Sequence, residues 1–280
     1  SIKAQVTTAD TSMASSQYAY IYQEIEAQNL QPLQYGTSSA KTITLSFFVK
    51  SNKTGTYSIS IQKRDATVYY LPIEYTIDSA NTWEKKTITI SPTAGSTSFI
   101  TASAGAIAND TGQGIQLGFG LAWGSQFNGG TSNTWSASTH YGTTNHVNWM
   151  DSTDNNFYLA QVQLEIGDVA TAFEHEDITT TLTKCRRYYQ KLVGTSYYGG
   201  FHVYTGSTGV YVQLVPSMRA APTVTNYNVR NASSGATASG ASANYGGVDG
   251  FNAPIDGAGG SAYANLSHIN QAFMEVSAEL

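Results

Sequence analysis

Alternation with a period of two residues constrains this chain more than any other feature. In Tyr18-Ala19-Tyr20-Ile21-Tyr22-Gln23-Glu24-Ile25, Tyr18, Tyr20 and Tyr22 share one side while Ala19, Ile21 and Ile25 share the other. Successive side chains of a strand point to opposite faces, so such a run places one face on a core and the other toward water. Thr42–Val49 repeats the pattern, with Ile43, Leu45, Phe47 and Val49 together. The turn cluster Ser51-Asn52-Lys53-Thr54-Gly55 and the run Tyr57–Gln62 complete a hairpin signal. Further strands are predicted at Val68–Ile77, Thr82–Ile90, Ile115–Trp123 and Phe157–Glu165, and Asn29–Tyr35 reads as a short helical connection. Many strands at short spacing, separated by turn residues, predict an all-β fold built on a β-sandwich.

The pattern changes after Glu176. Asp177 is placed to cap a helix, because its carboxylate can accept the free backbone N–H groups of a first turn. Leu182, Cys185, Tyr189 and Leu192 follow at spacings of three or four and fall on one helical face. Lys184, Arg186, Arg187 and Lys191 fall mostly off it, and Gly194 is a natural stop. This apolar stripe either packs on the chain's own β-domains or meets copies of itself around a symmetry axis, which makes its residues candidates for an oligomer interface. Strand signals return at Gly200–Tyr204, Val210–Pro216 and Thr223–Val229, and Ala272–Leu280 reads as a final strand. Asn231–Gly260, rich in Gly, Ala and Ser, reads as loops. The expected organisation is a β-sandwich over residues 1–176, a connecting helix over 177–194 and a small β-domain over 195–280.

Composition narrows the function classes. Charged residues make up only 12% of the 280, about half the usual share of roughly 25%. Ser, Thr, Asn, Gln, Gly and tyrosine replace them, which suits contact with polar ligands outside a cell. The net charge is −5 and no dense Lys/Arg patch exists to track phosphates, so nucleic acid is not an expected partner. The single cysteine excludes an internal disulfide, and no Cys/His cluster has zinc spacing. No apolar run is long enough to span a bilayer, so membrane insertion is not expected. A chain beginning at Ser1 is expected to be a processed product or part of a longer polypeptide.

No residue is nominated as catalytic, and the chain is not expected to be an enzyme. In Glu174-His175-Glu176 a strand would send the carboxylates one way and the imidazole the other, which defeats convergence on one ion. Asp151, Asp154 and Asp168 are candidate oxygen ligands for a structural calcium ion, the only cofactor considered, but turn chemistry explains them more simply. Glu24, Glu26, Glu74, Glu84 and Glu165 are the carboxylates available for glycan hydrolysis, and nothing in the sequence brings two of them together. Cys185 lies on the apolar stripe and is expected to be a packing residue.

The segment Gly124–Asp154 is long and polar yet carries Phe127, Trp135, Tyr141 and Trp149. A loop of this length in a compact domain is usually functional or disordered, and its rings argue for order. Sugar rings stack their C–H faces on aromatic side chains while amides satisfy their hydroxyls. Trp135, Tyr141 and Trp149, with Asn128, Asn133 and Asn145, are therefore the glycan-binding candidates. The competing expectation is that these rings fold back and pin the loop to the sandwich.

Several segments together resemble a pattern of tail-fibre and other virion appendage proteins of tailed bacteriophages. Phe157–Gly167 (FYLAQVQLEIG), Ala170–His175 (ATAFEH) and Cys185–Tyr189 (CRRYY) are similar to that family's "GVQLEVG", "ATPFEHR" and "CQRYY". Gln5–Thr11, Tyr35–Lys41, Phe48–Tyr57, Asn81–Glu84, Arg219–Val224 and Ser277–Leu280 fit it as well, so the likeness spans most of the chain. Ala172 stands where the family usually has proline, and Arg186 where it has glutamine. The resemblance implies a jelly roll similar to carbohydrate-binding modules, joined to a small β-domain, in a homotrimer on the virion. On it, Phe157–Glu176 closes the sandwich and the helix couples it to the distal domain. It transfers no catalytic residue. The expected partners are further copies of the chain, other virion proteins and a host cell-surface glycan. The alternatives are a purely structural virion protein, such as a fibre spacer, baseplate or capsid decoration, and a polysaccharide depolymerase.

Overall fold

The structure is a computed structural model and describes residues 1–193, 208–225, 228–230, 237–239, 244–247, 249–255 and 273–279. Strands occupy each alternating run of the first part: β2 (Tyr18–Glu26), β3 (Ile43–Ser51), β4 (Gly55–Lys63), β5 (Tyr69–Ile77), β6 (Glu84–Ile90), β7 (Gln113–Trp123) and β8 (Asn156–Ile166). A short strand, β1 (Ile2–Gln5), precedes them. The predicted helical connection is a 3-10 helix over Ala27–Leu33.

The eight strands form two antiparallel four-stranded sheets, ordered β1-β8-β3-β6 and β2-β7-β4-β5. Only β4 and β5, joined as a hairpin, are consecutive strands lying side by side; every other connection crosses between sheets, including the β3–β4 turn at Ser51–Gly55, which corrects the hairpin expected there. That order is the jelly roll, two Greek keys wound into one sandwich. The inner faces carry the apolar half of each alternation: Ile43, Leu45, Phe47 and Val49 from β3, Ile59 and Ile61 from β4, Leu117 and Phe119 from β7. Phe47 meets Tyr75 and Phe119 edge-on at 5.2 and 5.1 Å. Truncating a ring this enclosed costs about 3–5 kcal/mol.

The long segment after β7 is ordered because it is laced to the sandwich. Tyr70 and Ser136 exchange backbone hydrogen bonds, Asn133 N–H donates to the Pro72 carbonyl at 2.8 Å, and Val147 N–H donates to Thr56 at 2.9 Å. Trp135 and Trp149 insert into the core at 1% and 2% exposure. The Trp135 indole N–H donates to the Ser91 carbonyl at 3.1 Å, which satisfies its buried donor.

The chain divides into two compact units, Ser1–Glu174 and His175–Leu280. In the second, Asp177 caps helix α1 (Ile178–Arg186), accepting from the Thr179 and Thr180 amides at 2.9 and 3.0 Å. The helix is shorter than its periodicity suggested. Tyr189 and Leu192 lie on strand β9 (Tyr189–Val193), so they share no helical face with Leu182 and Cys185. Pairing of Tyr189–Val193 with a distant partner strand, rather than the local apolar spacing, wins over helix propagation. Leu182 is 48% exposed, and Cys185 is exposed rather than a packing residue.

Strand β9 pairs antiparallel with the terminal strand, β16 (Phe273–Ser277), which also pairs with β11 (Thr223–Thr225). A second sheet joins β10 (Thr208–Gln213), β15 (Gly250–Ile255) and β14 (Asn244–Gly247), and β12 (Asn228–Arg230) pairs with β13 (Thr237–Ser239). Strands β13, β14 and β15 correct the expectation that Asn231–Gly260 is loop throughout. The strand expected at Gly200–Tyr204 lies outside the described residues.

Candidate binding face

Strand β2 turns Ala19, Ile21 and Ile25 toward the core, which leaves Tyr18, Tyr20, Tyr22 and Glu24 on the opposite face of its sheet. The neighbouring strand makes room for the rings. Tyr20 faces Gly120 and Tyr22 faces Gly118 across the β2–β7 pairing. A side chain at either glycine would collide, with Tyr20 at Gly118 and with Trp123 at Gly120. Tyr20 and Tyr22 stack at 4.9 Å, and Tyr20 meets Tyr18 and Trp123 at 5.5 Å each. The loop adds Tyr141, which stacks on Phe127 at 4.8 Å and lies 5.8 Å from Tyr70 and 6.3 Å from Tyr20.

A line of polar groups continues from the rings across β2, β7 and β4. The Tyr20 hydroxyl donates to Gln116 Oε1 at 3.4 Å. Glu24 accepts from the amides of both Gln113 and Gln116. Arg64 donates to Gln113 Oε1 at 3.3 Å and to Gln62 Oε1 at 3.0 Å. Burial, reinforced by Tyr22, Tyr141 and Tyr18, pushes the Tyr20 phenol up to about 12, and burial likewise raises Tyr141. Both therefore stay protonated at neutral pH, as hydrogen-bond donors. The face thus combines ring surfaces with the partly exposed Glu24, Gln113 and Arg64 groups, which the buried Gln62 and Gln116 amides hold in place. That is the mixture needed to hold a polyhydroxylated ring with apolar C–H faces. Tyr22 is 54% exposed, so one side of the stack is open to a ligand.

The sequence-based candidates separate. Tyr141 joins the face, whereas Trp135 and Trp149 are committed to the core and cannot stack on a ligand. Asn145 donates to Glu74 at 3.0 Å, and Asn133 takes a positive φ of 55° where the loop turns against Pro72. Asn128 is half-buried beside Phe127 in the chain. Sequence reasoning missed Tyr18, Tyr20, Tyr22, Gln113, Gln116, Gln62 and Arg64 as site residues. The tyrosine side of β2 was the available signal. Of the calcium candidates, Asp151 pairs with Lys53 and accepts from Asn155, and Asp168 offers its carbonyl to Thr89. Among the described residues no three His, Cys, Asp or Glu side chains gather as a metal site.

The segments that resemble phage appendages act here as structural staples. Gln163 reaches the Ala172 carbonyl and accepts from the Glu174 amide at 2.8 Å, while Glu165 accepts from Thr171. Asn52 accepts from the Asn156 amide at 2.8 Å and holds the start of β8. Arg219 clamps the carbonyls of Ala278 and Glu279, and its amide donates to the Arg187 carbonyl. That contact draws the CRRYY, RAAPTV and terminal segments together.

The chain matches no protein-family model and no curated protein. Among solved structures it is similar to a "Family 16 Carbohydrate Binding Module-2", at 12% identity over 54% of this chain and 72% of that one, with a TM-score of 0.23. A likeness at this level carries no argument about function.

Proposed function

We propose that this chain is a non-enzymatic receptor-binding appendage of a tailed-phage virion, and that the tyrosine face of the β2-β7-β4-β5 sheet binds a host cell-surface glycan. The observation that carries glycan binding is the Tyr20–Tyr22 stack, open on one side and continued by Glu24, Gln113 and Arg64, which the buried Gln116 and Gln62 hold. The virion role rests on the motif resemblance alone. Trimerisation has one supporting feature. Ile178, Leu182 and Cys185, at helical spacings of four and three, are all exposed on α1. Individual sugar contacts are weak, and linked copies would raise the effective concentration of each site.

A glycan array probed with the full chain and with Tyr20→Ala and Tyr22→Ala tests the binding. Signal lost in both variants is expected; signal that survives both removes the face from consideration. Light scattering should give the mass of three chains, and a single-chain mass at micromolar concentration would remove the trimer. A purely structural virion role is the second reading. It is favoured by the staple roles of the resembling segments and by the burial of Trp135 and Trp149. A trimer that binds no glycan would establish it.

A further inference from the structure

The outer face of the other sheet carries a row of side chains unlike anything else on the described surface. Lys3 on β1 is the register partner of Tyr158 on β8, and Tyr158 is the partner of Lys50 on β3. Trp83 stands just before β6, one place beyond the Val49–Glu84 pair. Cation and ring therefore alternate across β1, β8 and β3 to the residue that precedes β6. The Lys50 ammonium lies 4.4 Å from the centre of the Tyr158 ring and 5.2 Å from that of Trp83, and Lys3 lies 5.8 Å from Tyr158. The two rings sit 6.2 Å apart at 66°. Trp83 is 40% exposed.

These lysines differ from Lys53 and Lys86 on the same domain, which are neutralised by Asp151, Asp78 and Glu84. Among the described residues, neither Lys3 nor Lys50 has a carboxylate within ion-pair distance. An aromatic face attracts an ammonium without cancelling its charge, so both cations remain available to an anion. Their setting selects which kind. A neutral sugar has no use for paired lysines. A phosphate polymer needs a longer basic track than two lysines. A carboxylated pyranose offers both complements at once, an apolar C–H face for Trp83 or Tyr158 and a carboxylate at the ring edge for Lys50 and Lys3.

We propose that the Lys3–Tyr158–Lys50–Trp83 row is a second binding surface, for uronic-acid-containing saccharides. It stands independently of the tyrosine face and of the virion role. Affinity electrophoresis of the full chain through gels containing polygalacturonate tests it. Retardation is expected, weakening with added salt and absent with the fully methyl-esterified polymer. Lys50→Ala and Trp83→Ala should each weaken it about tenfold, equivalent to about 1.4 kcal/mol, while Trp83→Phe keeps most of it and Lys41→Ala, at an exposed lysine just before β3, leaves it unchanged. Thermal unfolding matched to the parent chain verifies that the variants fold. The proposal is overturned by absent retardation, by equal retardation in the esterified polymer, or by single-stranded DNA binding lost in the same variants. Loss in Tyr22→Ala with retention in Lys50→Ala also overturns it, and assigns the polymer to the tyrosine face.

Discussion

The ring of Tyr20 rests on the backbone of Gly118: a methyl carbon built on that glycine would fall 2.8 Å from the ring's Cδ2 atom. The two residues lie on neighbouring strands, so the absence of one side chain sets the tilt of the other. Tyr20 in turn positions Tyr22 by stacking and reaches Gln116 through its hydroxyl. Gly118→Ala should therefore act on the binding face more than on the fold. Overpacking at one methyl is expected to cost about 1 kcal/mol of stability. Glycan affinity should fall roughly threefold to tenfold, about 0.7–1.4 kcal/mol. Paired titrations of binding and of urea unfolding check this, and an unchanged affinity would mean that the ring's tilt is unimportant.

Tyr22 and Trp135 should respond in opposite ways to truncation. Tyr22 is largely exposed and Trp135 is sealed in the core with its N–H tied to Ser91. Trp135→Ala is expected to cost about 3–5 kcal/mol, the usual loss for an enclosed large ring. Tyr22→Ala should stay within about 0.5 kcal/mol of the parent while abolishing most glycan signal. Equilibrium unfolding run beside the array measures both. A Trp135→Ala chain of parental stability would contradict the core placement.

The fold was legible where period two was clean. Tyr18–Ile25 and Thr42–Val49 show both faces of their strands in the sequence alone, and the sandwich follows from them. β1 escaped because four residues, Ile2–Gln5, carry too little alternation to register. Over Tyr189–Leu192 the spacing of the apolar residues predicts helix, whereas the structure forms strand β9. Long-range pairing with Phe273–Ser277 decides between them. The candidate face was half legible. Tyrosines on one side of β2 were evident, but Gly118, Gln116 and Arg64 join them only through strand register, almost a hundred residues away for β7. Composition favoured the tryptophans of the long loop, and composition does not reveal which rings turn inward.

His146 makes stability depend on pH. Its ring is buried beside Tyr57 and Trp123, and Nδ1 meets the Ser58 hydroxyl at 3.1 Å. Burial lowers its pKa from 6.5 to about 4, with the Leu121 carbonyl opposing this only in part. The unfolded chain therefore takes up a proton between those values that the folded chain refuses. Stability from this group is present above pH 6.5 and is lost as pH falls toward 4, by at most about 3 kcal/mol. The Lys53 hydrogen bond holds Asp151 below the usual carboxylate range, so its loss comes at lower pH. Urea midpoints at pH 7, 5.5 and 4 should fall for the parent chain and flatten for His146→Gln. Parallel curves for the two chains would show that the imidazole stays uncharged for no energetic reason.

Arg219 holds the second unit together at one point. Its side chain donates to the carbonyls of Ala278 and Glu279 at 2.8 Å each, and its amide donates to Arg187 at 2.9 Å. The Ala278 amide also donates to the Tyr188 carbonyl at 2.8 Å, so the end of the chain is fastened from two sides. A guanidinium can fork to two carbonyls because its donors are rigid and coplanar; an ammonium is a single flexible point of charge. Arg219→Ala should loosen Ser277–Glu279 at a cost of about 2 kcal/mol, the range for hydrogen bonds from a charged donor. Arg219→Lys should recover little of it. Faster amide exchange at Ala278 in both variants, with the β3 amides unchanged, is the expected result. Full protection at Ala278 in Arg219→Lys would show that charge alone, rather than the fork, secures the terminus.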